Sequence, residues 1–108
     1  MGRITTHVLD ITSGRPAAGV AIRLQRAGVN LCEAITNEDG RCDKPLLEGE
    51  ALLAGSYDLI FAIGDYFGLD HPRFLEDVVL RFCVGDPAQH YHVPLIATPW
   101  SYTTYRGS

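Results

Sequence analysis

Between residues 20 and 27 (VAIRLQRA) apolar and polar positions alternate, with Val20, Ile22 and Leu24 set against Ala21, Arg23 and Gln25. A strand sends successive side chains to opposite faces, so this period of two predicts a half-buried β-strand. The same reading predicts strands over RITTHVLDI (3–11), LCEAITN (31–37), YDLIFAI (57–63), DVVLRFCV (77–84), HYHVPLIA (90–97) and SYTTYR (101–106). Tyr57, Leu59, Phe61 and Ile63 would share one buried face, as would Val78, Leu80, Phe82 and Val84. Turn-forming clusters separate the runs: TSGRP after the first, and EDGR (38–41), where Asp39-Gly40 is a hairpin signal because glycine accepts positive φ. Only GDYFGLDHPRF (64–74) breaks the pattern, leaving room for one short helix, and LEGEALLAG (47–55) reads as a surface loop. The expected fold is all-β: a β-sandwich of about eight short strands with one short helix. The strands are too short and too separate for parallel βαβ units.

The rest of the composition narrows this picture. A chain of 108 residues fits a single domain spanning 1–108, large enough for a modest core. A formal charge of -4 gives no pull toward nucleic acid or an anionic membrane, and no run approaches a membrane span. Eight of the nine basic residues are arginine, Lys44 being the exception. Cys32, Cys42 and Cys83 are odd in number and lack CxxC spacing, and no apolar leader precedes the first strand. Free thiols and a cytoplasmic location are therefore expected.

Strand alternation also sorts the candidate chemistry. In the first strand Ile4, Thr6 and Val8 share one face, and Thr5, His7 and Leu9 the other. In HYHVPLIA, Tyr91, Val93 and Leu95 form the apolar face, with His90, His92, Pro94 and Ile96 opposite. His90 and His92 then stand about 7 Å apart on the side away from the core. Pro94 has no N–H and should leave an open or bulged ladder position. A His-x-His pair suits general acid–base work. With His7 as third ligand it also suits zinc. Taken alone, Arg41 after its turn reads as an exposed arginine, and Glu38, Asp39 and Asp43 as a solvated hairpin tip.

Three stretches together, GRITTHVLD with SGRPAAGV, TNEDGR, and HYHVPLIATPWSYTTYRGS, closely resemble the 5-hydroxyisourate hydrolases, the transthyretin-related proteins. The terminal Tyr-Arg-Gly-Ser is the most specific element. The resemblance covers essentially the whole chain and implies a transthyretin-like β-sandwich. It implies homotetramers built as dimers of dimers, with sites where the dimers meet. It also implies an enzyme of urate and purine breakdown that opens the six-membered ring of 5-hydroxyisourate at an amide bond, giving 2-oxo-4-hydroxy-4-carboxy-5-ureidoimidazoline. No cofactor and no metal are implied. Carried over, the catalytic residues are His7, Arg41, His92 and Ser108, and the substrate-binding residues Arg41, Tyr105, Gly107 and Ser108. His90 and Arg106 would support them, Arg106 by an ion pair holding the tail. Two alternatives stay open: a hormone-type carrier of the same fold, and a zinc site built from His7, His90 and His92.

Overall fold

A computed structural model describes residues 1–68 and 72–107. Among these, nine strands run in chain order as β1 (Arg3–Asp10), β2 (Arg15–Pro16), β3 (Ala21–Arg26), β4 (Val29–Ile35), β5 (Leu47–Glu48), β6 (Gly55–Phe61), β7 (Val78–Val84), β8 (His90–Ala97) and β9 (Tyr102–Thr104). The helix α1 spans Ile63–Phe67, so Ile63 opens the helix instead of closing β6. One sheet has the order β2-β1-β8-β9, with β5 also pairing β1; the other has the order β4-β3-β6-β7. β1 and β8 run parallel, and every other strand pair is antiparallel.

The faces follow the alternation. Ile4 and Val8 of β1 meet Ile22 and Leu24 of β3, Leu59 and Phe61 of β6, Val78 and Val84 of β7, and Leu95 of β8 in a core from which water is excluded. Each such side chain contributes roughly 1.5–3 kcal/mol by burial. Phe82 stacks on Tyr57 with ring centroids 6.0 Å apart. Polar groups drawn into this layer are satisfied: Thr6 donates to the Val93 carbonyl, and Thr36 donates to Ala17 O while accepting from Val20 N.

Several expectations need correction. β1 stops at Asp10, one residue early, because the Asp10 carboxylate turns the chain by accepting from the Thr12 and Ser13 amides and from the Tyr66 hydroxyl. Burial and this carboxylate push the Tyr66 phenol up to about 12. Residues 47–55 are more than a surface loop. Leu47 and Glu48 pair with Ile4 and Arg3, a 3-10 turn covers Gly49–Ala51, and Leu52 is buried. The apolar spacing was diluted there by Glu and Gly, so no period stood out.

The EDGR segment is a tight turn but does not lead into a hairpin partner for β4. Asn37 closes it, its amide donating to the Arg41 carbonyl and its side-chain oxygen accepting from the Asp39 and Arg41 amides. The chain then crosses to the other sheet, where Arg41 bridges His7 of β1 and the Gly40 carbonyl accepts from Val8 N. Gly40 has φ +73°, and a Cβ there would lie 2.3 Å from the Val8 carbonyl oxygen. Only glycine therefore lets the turn dock on β1.

Candidate active site

The parallel pairing of β1 with β8 sets Thr5 opposite His92 and Arg3 opposite His90. All four lie on the outer face, since β1 alternates buried and half-buried from Ile4 onward and His90 and His92 are both half-buried. The Thr5 hydroxyl sits between the two imidazoles, 2.6 Å from His90 Nε2 and 2.7 Å from His92 Nδ1. The ring centroids are 6.0 Å apart. His7, two residues along the same face, is joined to Arg41 by the turn described above.

A cleft of about 370 Å³ opens over this face. Arg3, Thr5, Arg41, Lys44, His90 and His92 line it, with Asp43 as its only acid among the described residues. A protein of net charge -4 thus gathers cations and imidazoles in one place. Burial, and after it the neighbouring arginines, set the histidines' protonation. Burial and then Arg41, with smaller contributions from His90 and His7, hold His92 below the usual histidine value. Burial and Arg41 lower His7 as well, against the opposing effect of the Asp39 backbone and carboxylate. Burial, Arg3 and Arg106 lower His90. Three neutral imidazoles at neutral pH are three available bases.

The C-terminal segment reaches this face through its backbone. β9 pairs with β8 at Leu95–Ala97, and the ladder then opens where Pro94 has no donor to give. It resumes in the same register at His92, whose carbonyl accepts from Gly107 N at 2.8 Å. The Thr104 hydroxyl caps the gap by donating to the Pro94 carbonyl. The unpaired position expected at Pro94 is present, without a bulge. Gly107 lies against the His92 ring, and a Cβ there would stand 2.5 Å from His92 Cδ2.

The remaining predicted residues are placed differently. Among the described residues Arg106 forms no ion pair. It donates to Gln89 Oε1 and the His90 carbonyl and stacks on Tyr91 with its guanidinium carbon 4.4 Å from the ring centroid. Tyr105 borders a second groove, between β7 and β9, and the structure does not bring it to the cleft that holds His92. Ser108 lies outside the described residues. Among the described residues no group of three or more His, Cys, Asp or Glu is arranged to hold a metal ion. Sequence reasoning missed Thr5, Arg3 and Lys44. Alternation had already put Thr5 on the face of His7, but nothing along the chain says which strand lies beside β1.

Two facing antiparallel-rich sheets, with a cationic, imidazole-lined cleft on the outer face of one, define a small β-sandwich built to meet a polar ligand. The chain belongs to the HIUase/Transthyretin family, whose model matches residues 4–107. It is 56% identical over 117 residues to the 5-hydroxyisourate hydrolase of Ralstonia nicotianae, covering 100% of both chains. Among solved structures it is similar to Klebsiella pneumoniae 5-hydroxyisourate hydrolase, with TM-score 0.90, 34% identity and 100% of both chains covered. It is also similar to an (S)-allantoin synthase, with TM-score 0.93 and 39% identity. There, 99% of this chain corresponds to only 44% of the longer protein.

Proposed function

We propose that the chain is an enzyme hydrolysing 5-hydroxyisourate to 2-oxo-4-hydroxy-4-carboxy-5-ureidoimidazoline in purine catabolism. One observation carries the reading: the His90 and His92 imidazoles, held below the usual histidine value by burial and by neighbouring arginines, share a cleft with fixed cations. Amide-ring opening consumes one water. It needs a base for the water's proton and a fixed positive charge for the carbonyl oxygen. His92, supported by His7, supplies the base, an effect typically worth about 10²–10⁴-fold. Arg41, whose guanidinium offers only donors, stabilises the developing oxyanion, a second large contribution. Arg41, with Arg3 and Lys44, also suits a planar, anionic-leaning substrate. In this reading the hydroxyl and carboxylate of Ser108 complete the pocket beside Gly107.

The working form we propose is a homotetramer, a dimer of dimers in the cytoplasm with the cleft at the dimer–dimer interface. Two features support assembly. β7 and β9 are the edge strands on one side of the two sheets, and Val79, Tyr102 and Tyr105 lie exposed along them. Unpaired apolar edges of this kind are normally covered. No described helix is long and apolar enough to cross a membrane.

The test is the ultraviolet decay of freshly generated 5-hydroxyisourate with and without the protein. Acceleration well above the spontaneous rate, from a species that light scattering sizes as a tetramer, is expected. No acceleration together with tight binding of an aromatic ligand would make the protein a carrier. Loss of activity on chelation would bring back a zinc site. A fully active monomer would remove the interfacial site.

A further inference from the structure

Thr5 is the only hydroxyl among the described residues placed between His90 Nε2 and His92 Nδ1, and it has one proton to give. Both contacts are short, and the rings are too far apart to bond each other directly. The hydroxyl could accept from both rings, but among the described residues it has no acceptor for its own proton other than these two nitrogens, so with both contacts as hydrogen bonds one facing nitrogen is bare and the other carries a proton. The two tautomers are therefore locked to each other.

Which arrangement holds follows from the cleft. His92 Nδ1 is occupied by Thr5, so a base at His92 has to be Nε2 with its lone pair free. A neutral His92 then carries its proton on Nδ1, and Thr5 accepts it. The Thr5 proton is left for His90 Nε2, and His90 keeps its own proton on Nδ1. Arg41 argues the same way, since a guanidinium offers only donors and favours a ring that turns a lone pair toward it.

We propose that Thr5 is a positioning residue that fixes His92 in the Nδ1–H tautomer, accepting that proton while donating its own to His90. The proposal rests on the hydrolase reading and assigns that reading a proton path. As the water oxygen bonds to the carbonyl carbon, its proton goes to His92 Nε2. The Nδ1 proton passes to the Thr5 oxygen, and the Thr5 proton to His90 Nε2, so the positive charge rests on His90. It leaves the ring facing Arg41 and His7 for the more exposed ring near Arg3 and Arg106. When the ring C–N bond breaks, the same steps reversed return one proton through His92 Nε2 to the leaving nitrogen. No proton is gained or lost over the cycle.

The experiment combines ¹⁵N imidazole NMR on the intact labelled protein at pH 7.5 with steady-state rates for wild type, Thr5→Val and Thr5→Ser. Wild-type His92 is expected to show a protonated Nδ1 and a bare Nε2. In Thr5→Val, His92 should shift to the Nε2–H form and kcat should fall about a hundredfold, within the span of a positioned base. KM should change little. Thr5→Ser should restore both the tautomer and the rate. A wild-type His92 in the Nε2–H form, or a Thr5→Val rate within threefold of wild type, overturns the proposal. Absence of turnover in wild type would instead sink the hydrolase reading, while the NMR measurement still decides the role of Thr5.

Discussion

The two sheets turn similar outer faces to solvent and use their charges in opposite ways. On β6 and β7, Arg81 meets Asp58 at 2.8 Å, and the Arg23–Asp77 pair nearby spans 3.9 Å. Each cation has its own anion, both arginines are exposed to water, and such pairs contribute little. On β1 and β8, Arg3, Arg41 and Lys44 share a cleft with one acid and the desolvated imidazoles of His90 and His92, with His7 beside Arg41. Paired charges are spent on each other, whereas unneutralised ones set the protonation of their neighbours and are available to a ligand. Local charge imbalance, more than exposure or polarity, separates a working face from a solvated one.

The largest test of that contrast sets two substitutions on the cleft face against one on the other. His92→Asn should lower kcat/KM about 10²–10⁴-fold, and Arg41→Glu by at least about 10²–10³-fold. Asp58→Asn, which breaks the Arg81 pair, should leave turnover within about twofold of wild type. Circular dichroism should show all three folded. Comparable losses on both faces would erase the distinction.

A smaller effect is expected from Gly107→Ala. The added Cβ meets the His92 ring at 2.5 Å and must displace it. A base moved by about 1 Å costs on the order of 10²-fold, so kcat should drop about 10–100-fold while denaturant stability barely changes. An unchanged kcat would mean that the ring's position against the tail does not matter.

The smallest effect is in pH. His7, His90 and His92 all lie below the ordinary value of 6.5 in the folded protein. Just below pH 6.5 the unfolded chain therefore binds more protons than the folded one. Stability should decline as the pH falls from about 6.5 through the lowered folded values, then level off with respect to these groups. kcat/KM should likewise hold through neutrality and fall only on the acid side, with an apparent pKa under 6.5. Denaturant midpoints at pH 7.5 and 5.5, compared with His92→Asn, check this; the variant should show a shallower decline.

Much of the molecule was legible along the chain. Alternation sorted Ile4, Val8, Ile22, Leu24, Leu59 and Leu95 to the core and His7, His90 and His92 to the outside, because side-chain direction in a strand depends only on parity. The proline gap in the last ladder was legible for the same local reason, a missing donor. The segment at 47–55 was not, since two residues of strand carry no period. Nor was the Arg106 anchor, because a stacking partner on another strand leaves no local mark.

The sequence by itself determined the strands, their faces, the turn at Gly40 and, through its motifs, the family. Only the tertiary structure decided that β1 lies parallel to β8 and that Thr5 therefore stands between two imidazoles. It also decided that the 37–41 turn crosses sheets to set Arg41 beside His7. The reason is physical: face is fixed by neighbours one residue away, whereas pairing is fixed by burial summed over the whole sandwich. Thr5 and His92, 87 positions apart, meet only when that sum is made.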